Sequence, residues 1–548
     1  MTTHPKGSDA RLLLSSVFGP YAQDDDFGSR SINPMELYHN QVTRMQSEFS
    51  LRMFHRSWGL MMIQQNIQAQ STLLDFPTRE QFAAELKRQH YDIVGLSSII
   101  VNVGKVKEMC RMVRELSPHS TIIVGGHVAA IPGIEAMLDA DHIVKGEGIS
   151  WMRQYLGEDP TAKIRHPDIV SGFGHRILGF KIPETFHHAA ATVIPSVGCP
   201  MGCNFCTTSS FFGGKGKFTN FFDTGEELYE VMCGLEERLK VKSFFIMDEN
   251  FLLQKKRALE LLRLMQQGRK SWEFYVFSSA NAIRKYSTDE LVRLGVSWLW
   301  LGLESPKSGY AKLSGSDTMA LCHELQQNGI KLLGSTIIGL EHHTPENINQ
   351  EIEYAISHGT DFHQFMLYTP VPGTPLYQQV KEEGRLIDVN LADIHGQHKF
   401  NFQHPAISRD ASKEYLDEAF LRDFEKNGPS LFRICRTTWQ GWQRHHNHPD
   451  ERVRERSTRE LTALRHTWSG ILWAMEKQVR ESNESVSQKI AELRSEIRRE
   501  CGSMGSRLSN AVIGPLMLWS ARKEAARLKR GVTYEPPMIV QHWPRATS

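Results

Sequence analysis

Three cysteines lie close together in the stretch SVGCPMGCNFCTTS, residues 196–209. They are Cys199, Cys203 and Cys206. Thiolates grouped in this way can hold zinc or an iron–sulfur cluster. Structural zinc takes four protein ligands, so a zinc site here needs one more ligand, which His187 or His188 could supply. Three thiolates on a [4Fe–4S] cube leave one iron open to a substrate or cofactor, which makes such a site catalytic.

The composition is that of a globular protein from a reducing compartment. Hydrophobic residues make up 40% and charged residues 23% of the 548 residues, which allows a large core and predicts two to four domains. Only 8 residues are cysteine, which favours thiols that serve metals or catalysis over disulfides. The net charge of +2 predicts no nucleic-acid partner. Since no signal peptide and no apolar stretch of about 20 residues is visible, we expect a cytoplasmic protein.

The region before the cysteines, residues 1–156, predicts a doubly wound parallel sheet of the Rossmann-like kind. The β-branched runs YDIVGLSSII and STIIVGGHVA end in small residues, and the segment between them has apolar residues at helical spacing. In such sheets ligands bind beyond the carboxyl ends of the strands. The residues at those ends are Ser97, Ser98, Gly125, Gly126, His127, Gly146 and Glu147.

Residues 157–191 contain several prolines and glycines and predict a linker. Strand patterns restart at 192, and six of them alternate with helical patterns across 192–405. This arrangement predicts a partial (β/α)6 TIM-type barrel, whose active site lies at the carboxyl ends of its strands. The cysteines follow the first of these strands, which is the place of a catalytic loop.

Residues 406–548 predict a helical domain in which strand patterns are absent. One long helix is expected from near 456 to 500, because Leu472, Val479, Val486 and Leu493 recur every seven residues. Since the intervening core positions are often polar, we expect this helix to pack on its own barrel rather than in a coiled coil. The stretch NAVIGPLMLWSARKEAARLKRG has two interpretations. It is either a helix buried against the barrel with a solvated basic tail, or a segment that lies on an anionic membrane surface.

The cysteine spacing resembles the signature of a known family. CPMGCNFC matches the Cys-x-x-x-Cys-x-aromatic-Cys pattern of radical S-adenosylmethionine (SAM) enzymes, with Phe205 as the aromatic residue. Further segments resemble later strand motifs of that family, in order: FIMDENF, WLGLES, GSTIIGL and YTPVPGTPLY. The last of these is common in the subgroup that carries cobalamin. DIVGLSSI, IIVGGHVA and IVKGEG resemble the cobalamin-binding domain of the same subgroup, which includes the class B methyltransferases.

The resemblance implies three cofactors. Cys199, Cys203 and Cys206 would hold a [4Fe–4S] cluster, and cobalamin would lie at the strand ends of the first sheet. The residues implied to contact SAM are Phe205, Asp248, Glu249, Ser278, Glu304, Ser305 and Ile337. The Asp-x-His-x-x-Gly motif that supplies a histidine to cobalt in other cobalamin proteins is absent, so we expect no histidine as the lower ligand. No catalytic side chain is assigned.

The resemblance also implies radical chemistry. An electron donor such as flavodoxin or ferredoxin would reduce the cluster, and SAM would then yield methionine and a 5′-deoxyadenosyl radical. We predict a methyltransferase that methylates an unactivated carbon of an apolar small molecule, such as a lipid or isoprenoid, by way of methylcobalamin. The alternatives are a cobalamin-containing cyclase, coupling enzyme or oxidoreductase, and a non-enzymatic zinc and nucleotide-binding module. The C-terminal segment adds peripheral contact with the inner membrane surface as an expectation.

Overall fold

The structure is a computed structural model that describes residues 2–19, 27, 49, 56–171, 176–177, 180–181, 190–304, 317–502, 509–530 and 539–543. Its first sheet consists of β1 (Leu12–Ser16), β2 (Ser71–Asp75), β3 (Ile93–Ser97), β4 (Thr121–Gly125) and β5 (His142–Ile143). These strands are parallel and lie in the order 2-1-3-4-5. The winding therefore changes direction between β1 and β3, which confirms the predicted doubly wound fold.

Helices cover both faces of this sheet. They are α1 (Trp58–Gln65), α2 (Arg79–Arg88), α3 (Val103–Leu116), α4 (Ile134–Met137) and α5 (Gly148–Tyr155). Along β1, Leu13 belongs to the core formed with α2 and α3, whereas Leu12 and Leu14 belong to the core formed with α1 and α5. Because successive strand side chains point to opposite faces, an unbroken apolar strand needs helices on both sides.

The second sheet is the partial barrel. Its neighbourhood contains β6 (Val170–Ser171), β7 (Arg176–Ile177), β8 (Phe180–Lys181), β9 (Ala190–Val193), β10 (Ser196–Val197), β11 (Thr219–Asn220), β12 (Ser243–Ile246), β13 (Glu273–Phe277), β14 (Val296–Gly302), β15 (Lys331–Ile338) and β16 (Phe362–Leu367). The sheet order is 16-15-14-13-12-9-6, with β9 and β12 to β16 parallel and β6 antiparallel to β9. The six predicted strands are thus present.

Helices alternate with these strands along the chain. They are α6 (Thr207–Phe211), α7 (Gly225–Leu239), α8 (Lys255–Gln267), α9 (Ala280–Ile283), α10 (Thr288–Leu294), α11 (Thr318–Gln327), α12 (Ile348–Ser357) and α13 (Pro375–Glu382). Local sequence sets several of their starts. Capping boxes at Thr224 with Glu227 and at Ser287 with Glu290 satisfy the first free amides of α7 and α10.

Short 3₁₀ segments occupy Gly7–Asp9, Ile100–Asn102, His127–Ala130, Phe251–Leu253 and Leu391–Asp393. The C-terminal helices are α14 (Arg409–Asn427), α15 (Ser430–His445), α16 (Glu451–Ala463), α17 (Ser469–Arg480), α18 (Glu484–Cys501) and α19 (Gly514–Lys529), with π-helical turns at Leu464–Trp468 and Ser509–Ile513.

The prediction of one long helix from 456 to 500 was wrong. The chain turns at 481–483, and the side chain of Asn483 accepts a hydrogen bond from the amide of Val486 as the N-cap of α18. α17 and α18 therefore pack against each other as a helical hairpin. The heptad residues Leu472 and Val479 lie on one helix of the hairpin and Val486 on the other, all in one core with barrel residues.

The C-terminal region also contains a strand, which the sequence pattern did not predict. β17 (Ile539–Trp543) pairs antiparallel with β2, in a register that places Ile539 opposite Asp75 and Trp543 opposite Ser71. The chain thus returns from the helical region to cover the edge of the first sheet. A five-residue strand of this kind depends on a partner almost the whole chain away, and local sequence does not encode that pairing.

A buried ion pair joins the C-terminal helices to the barrel. Arg433 on α15 donates through Nη2 to Oδ2 of Asp423 on α14 over 2.8 Å, and the two side chains are only 0% and 2% exposed. Arg433 also donates to the carbonyl of Thr360, which precedes β16. Each partner satisfies the charge of the other, so the pair is stable only as a unit.

We therefore expect Asp423→Ala to destabilise the protein by about 3–5 kcal/mol, because Arg433 would keep a buried charge without its counter-ion. Thermal unfolding followed by circular dichroism measures the effect as a large fall in Tm. The matched control is Asp417→Ala, which removes an exposed partner of Lys413 on the same helix and should cost less than about 1 kcal/mol. Equal Tm values for the two variants would contradict this account of the buried pair.

Candidate active site

The three cysteines lie on a loop that follows β10 and ends at α6. The amide of Cys206 donates to the carbonyl of Cys203 over 3.0 Å, and the sulfur of Cys206 accepts from the amide of Ser209 over 3.4 Å. Ser209 Oγ donates to the carbonyl of Cys199 over 2.8 Å. All three thiols are partly buried and free of disulfides. The backbone of the loop is therefore fixed by its own hydrogen bonds.

The surroundings of the thiols bear on which metal they would hold. Burial raises the pKa of the Cys199 thiol to about 11, and the neighbouring Cys206, Glu249 and Cys203 also raise it, so thiolates here need a positive centre. Among the described residues, no three His, Cys, Asp or Glu side chains converge on a point suited to one metal ion. His187 and His188, the candidate fourth ligands of a zinc site, lie outside the described residues. An iron–sulfur cube binds each thiolate at a different iron and needs no such convergence.

The loop after β12 is braced by buried polar side chains. Asp248 accepts from Ser196 Oγ over 2.8 Å and from Nη2 of the buried Arg257 over 2.5 Å. The backbone amide of Asn250 donates a hydrogen bond to Asp248, and the side-chain oxygen of Asn250 accepts one from Ser278 Oγ over 2.9 Å. The carboxylate of Asp248 is thus engaged on both oxygens. Asp248 and Ser278, two of the residues predicted to contact SAM, meet in one network that orients the loop.

Glu249 is the acidic residue of this loop that borders open space. Its carboxylate accepts a hydrogen bond from the amide of Gly198, next to the first cysteine, and its Oε2 is buried without a hydrogen-bond partner. Burial raises the pKa of this carboxyl to about 8, so it holds a proton near neutral pH. Glu249 therefore connects the cysteine loop to the cavity described below.

The remaining predicted SAM residues lie at the ends of neighbouring barrel strands. Phe205 packs against the hydrophobic cluster that contains Ile337 of β15, and its ring lies 6.4 Å from that of Tyr368. Glu304 follows β14 and is buried. Ser305 lies outside the described residues. The structure thus brings the described members of the set to one end of the barrel, which is where the cysteine loop lies.

A large cavity separates the two sheets. Its volume is about 470 Å³, and all seven residues predicted at the strand ends of the first sheet line it. The opposite wall comes from the barrel side, including Phe211 and Phe212 at the end of α6 and Glu249. One chamber therefore has the first sheet on one side and the helix that follows the cysteines on the other.

The backbone conformation beside this chamber requires glycine at position 126. Its φ is +80°, and a Cβ atom there would lie 2.5 Å from the carbonyl oxygen of Ser98 and 2.8 Å from Ser97 Oγ. No side chain fits without displacing the ends of β3 and β4. The glycine that the sequence placed at the ligand edge thus shapes the cavity directly.

Two other predicted residues have definite structural roles. The His127 ring stacks on Phe211, with ring centroids 4.8 Å apart, and burial lowers its pKa to about 4, so the imidazole is neutral. Its Nε2 is buried without a hydrogen-bond partner. The carboxylate of Glu147 accepts from the amides of Ile149 and Ser150 as the N-cap of α5. His127 thus contacts the barrel side, whereas Glu147 fixes a helix of the first sheet.

Sequence reasoning missed several cavity residues, namely Arg56, Trp58, Asn102, Phe211 and Phe212. Asn102 is the most informative of them, because it is 1% exposed and neither polar atom of its side-chain amide has a hydrogen-bond partner in the part of the chain that the structure describes. It occupies the N-cap position of α3 without capping it. Asn102 stands out only as a polar residue at a helix start whose side chain forms no cap. The structure is needed to show that the cap is missing, so the sequence alone could not identify this residue.

Comparison with known proteins agrees with this architecture. The family model of the B12 binding domain matches residues 51–155, and that of the radical SAM superfamily matches residues 193–400. A bacteriochlorophyllide d C-12(1)-methyltransferase of Chlorobaculum tepidum is 27% identical over 56% of this chain and 69% of its own length. A hopanoid C-2 methylase of Rhodopseudomonas palustris is 22% identical over 67% of this chain and 70% of its own length. The structure of the methyltransferase TsrM from Kitasatospora setae, with cobalamin and a [4Fe–4S] cluster bound, aligns with 90% of this chain over 100% of the TsrM chain. The sequence identity is 14% and the TM-score is 0.48.

The fold and the two matched domains define a radical SAM enzyme with a cobalamin-binding domain in front of its barrel. The chain therefore combines a B12 binding domain with a radical SAM domain, and the cofactors that these two domains imply are a [4Fe–4S] cluster, SAM and cobalamin. The chamber suits a large cofactor with polar groups at its rim. It has a glycine cradle at Gly126, and buried polar atoms of Asn102 and Glu249 lack hydrogen-bond partners among the described residues.

If the Gly126 cradle shapes the cobalamin chamber, Gly126→Ala should lower cobalamin retention at least about tenfold, because the added methyl group forces the strand ends apart. Absorbance spectra after reconstitution and gel filtration measure the cobalamin bound per chain. Gly133→Ala is the control: this glycine also has a positive φ, +75°, but a Cβ there meets nothing within 4 Å. Full cobalamin content in Gly126→Ala, or an equal loss in Gly133→Ala, would show that the cradle does not hold the cofactor.

Proposed function

We propose that this enzyme methylates an unactivated carbon of an apolar substrate. One observation carries the proposal: a single chamber is bounded by the strand ends of the cobalamin-binding sheet and by the helix that follows the three cysteines. A methyl donor on one wall and a radical source on the other can then act on the same carbon. The similarity to proteins named as C-methyltransferases supports this choice over cyclisation, coupling or oxidation.

In this proposal Cys199, Cys203 and Cys206 would hold the cluster, and Phe205, Glu249, Glu304 and Ile337 would contact SAM. Asp248 and Ser278 orient the loop after β12 through Arg257 and Asn250. Ser305, outside the described residues, stays a predicted SAM contact. The cofactors supply a carbon radical and a transferable methyl group when bound.

The residues at the strand ends of the first sheet form the cobalamin site in this proposal. Ser97, Ser98, Gly125, Gly126, His127, Gly146 and Glu147 line it, and Asn102 adds an amide that can pair with an amide of the cofactor. The expectation that no histidine serves as lower cobalt ligand stays a prediction.

The contribution of the chain is positioning and exclusion of water. The cavity wall is mostly apolar, with Trp58, Phe211, Phe212 and Met247 among its residues. A radical formed in such a chamber is kept away from solvent and from competing reactions. The carboxyl of Glu249, protonated near neutral pH, can donate a hydrogen bond at the junction of the two cofactor sites without adding a negative charge.

The test uses SAM labelled in its methyl group. Reconstituted enzyme, a chemical reductant and apolar extracts should yield a product that carries the label, detected by mass spectrometry as one added CH₂ unit. Cys203→Ala is the matched control, because loss of one of three ligands should remove most of the iron and abolish labelling. A product whose mass changes without label incorporation would indicate cyclisation or oxidation, and full iron content after replacement of all three cysteines would contradict the cluster assignment.

The proposal extends to the cellular setting of the enzyme. We infer a cytoplasmic protein that contacts the inner membrane surface through α19. Val512, Leu516 and Trp519 lie at helical spacing and are 60%, 46% and 58% exposed, and the ammonium group of Lys523 lies 5.3 Å from the Trp519 ring centroid. The opposite side of α19 is buried, with Ala521 in the helical core. No helix in the described ranges is long and apolar enough to cross a bilayer.

We expect Leu516→Ser with Trp519→Ser to weaken binding to phosphatidylglycerol vesicles by about tenfold or more, because two large apolar side chains no longer enter the interface. Co-sedimentation measures this binding. Leu421→Ser removes an apolar residue of similar exposure, 39%, from α14 and serves as the control. Undiminished binding by the double variant would exclude this surface as the membrane contact.

A further inference from the structure

A glycine-rich loop with two lysines follows α6, the helix that begins at the third cysteine. Its sequence over residues 213–218 is GGKGKF, and three of its glycines, Gly213, Gly214 and Gly216, have φ values of 102°, 83° and 77°. Lys215 and Lys217 are exposed, and the Phe218 side chain is 39% exposed. None of these residues has a role in the chamber described above.

The loop packs directly on the segment that carries the cysteines. The amide of Gly216 donates to the carbonyl of Pro200 over 2.9 Å, and the amide of Gly214 donates to the carbonyl of Ser209 over 2.8 Å. Gly202, between the first two cysteines, lies against Lys215: a Cβ at Gly202 would be 2.8 Å from the Lys215 Cα. The backbone of Lys215 thus lies against the cysteine loop itself, between the first and second cysteines.

The loop carries two positive charges at the surface of the protein. Neither Lys215 nor Lys217 forms an ion pair within the part of the chain that the structure describes. Two lysines and an exposed aromatic ring within four residues combine electrostatic steering with an apolar anchor, which is the pattern of a protein-binding surface. Both charges lie within about one Debye length, 8 Å at physiological salt, of any group bound on the loop.

We propose that Lys215, Lys217 and Phe218 form the docking surface for an acidic protein that carries one electron to the cluster, such as a flavodoxin in its hydroquinone form. This inference rests on the proposed function, because it needs a cluster at the three cysteines. In the transfer the flavin hydroquinone loses one electron and becomes the semiquinone, and the cluster gains that electron and passes from the 2+ to the 1+ state. No covalent bond forms or breaks.

The observations favour an acidic carrier over other occupants of the surface. A membrane would need a broad apolar face, whereas this loop offers one ring between two lysines. A small anion would need convergent donors, but the amides of Gly214 and Gly216 already donate to the cysteine segment. A carrier that docks here places its redox group beside the cluster loop, which is what rapid electron transfer requires.

The experiment measures reduction of the reconstituted enzyme by flavodoxin hydroquinone in a stopped-flow spectrometer. For Lys215→Glu with Lys217→Glu, we expect the second-order rate constant to fall about tenfold or more at low salt and to approach the wild-type value at high salt. Reduction by dithionite, a small reagent that needs no docking surface, should be unchanged. Lys87→Glu with Lys107→Glu makes the same charge change on two exposed helical lysines and should leave both rates unaltered.

Equal flavodoxin rates for wild type and the 215/217 variant would overturn the proposal. If dithionite reduction also slows, the charge reversal has disturbed the cluster loop, and the neutral variant Lys215→Gln with Lys217→Gln is measured instead. An unchanged flavodoxin rate in this neutral variant again overturns the proposal. A lowered flavodoxin rate supports it. Equal loss in the 87/107 variant would mean that overall charge, not this surface, governs the encounter. Failure of the proposed methylation shows separately, as wild-type enzyme that flavodoxin reduces but that transfers no labelled methyl group.

Discussion

The two parallel sheets of this protein direct the carboxyl ends of their strands toward one chamber, and the cofactor chemistry depends on that constraint. A parallel strand ends where the next connection begins, so small residues and polar loops collect at that edge of each sheet. Here the edge with Ser97, Gly126 and Gly146 faces the edge with the cysteine helix and Glu249. Both sheets contribute residues to the lining of this chamber, so neither sheet alone would form it.

Contacts across the chamber keep the two edges in place. His127 of the first sheet stacks on Phe211, which belongs to the helix that starts at Cys206, so a neutral imidazole connects the cobalamin-binding domain to the cysteine loop. On the barrel side, Asp248 and the buried Arg257 hold the loop from which Glu249 reaches Gly198. Farther away, the Arg433–Asp423 pair fixes the C-terminal helices against the barrel, and β17 returns to cover the free edge of β2. Since each of these contacts joins distant parts of the chain, the chamber is a property of the whole molecule.

The surface near the cysteines has a different character from the chamber. The chamber wall is mostly apolar, whereas the loop that carries Lys215 and Lys217 is exposed and packs on the cysteine segment. The cysteine segment, residues 196–209, thus borders the chamber through Val197 and Thr208 and contacts the exposed basic loop through Gly202. The close packing of glycines on both segments, at Gly202 and at Gly216, keeps the distance between them small.

Local patterns in the sequence predicted the doubly wound sheet, the six barrel strands, the helices around them and the residues at the strand ends, because strand and helix periodicity and the cysteine spacing are all short-range signals. The prediction of one long helix was wrong, because Asn483 caps the start of a second helix although the heptad pattern continues through this position. The strand β17 was missed because its partner β2 is far away in the chain. Only the tertiary structure decided that Asp248 braces the loop while Glu249 borders the chamber. It also decided that Asn102 is buried without a hydrogen-bond partner among the described residues, and that Lys215 lies against Gly202 of the cysteine loop. These facts depend on burial and on contacts between distant segments, and a linear sequence records neither.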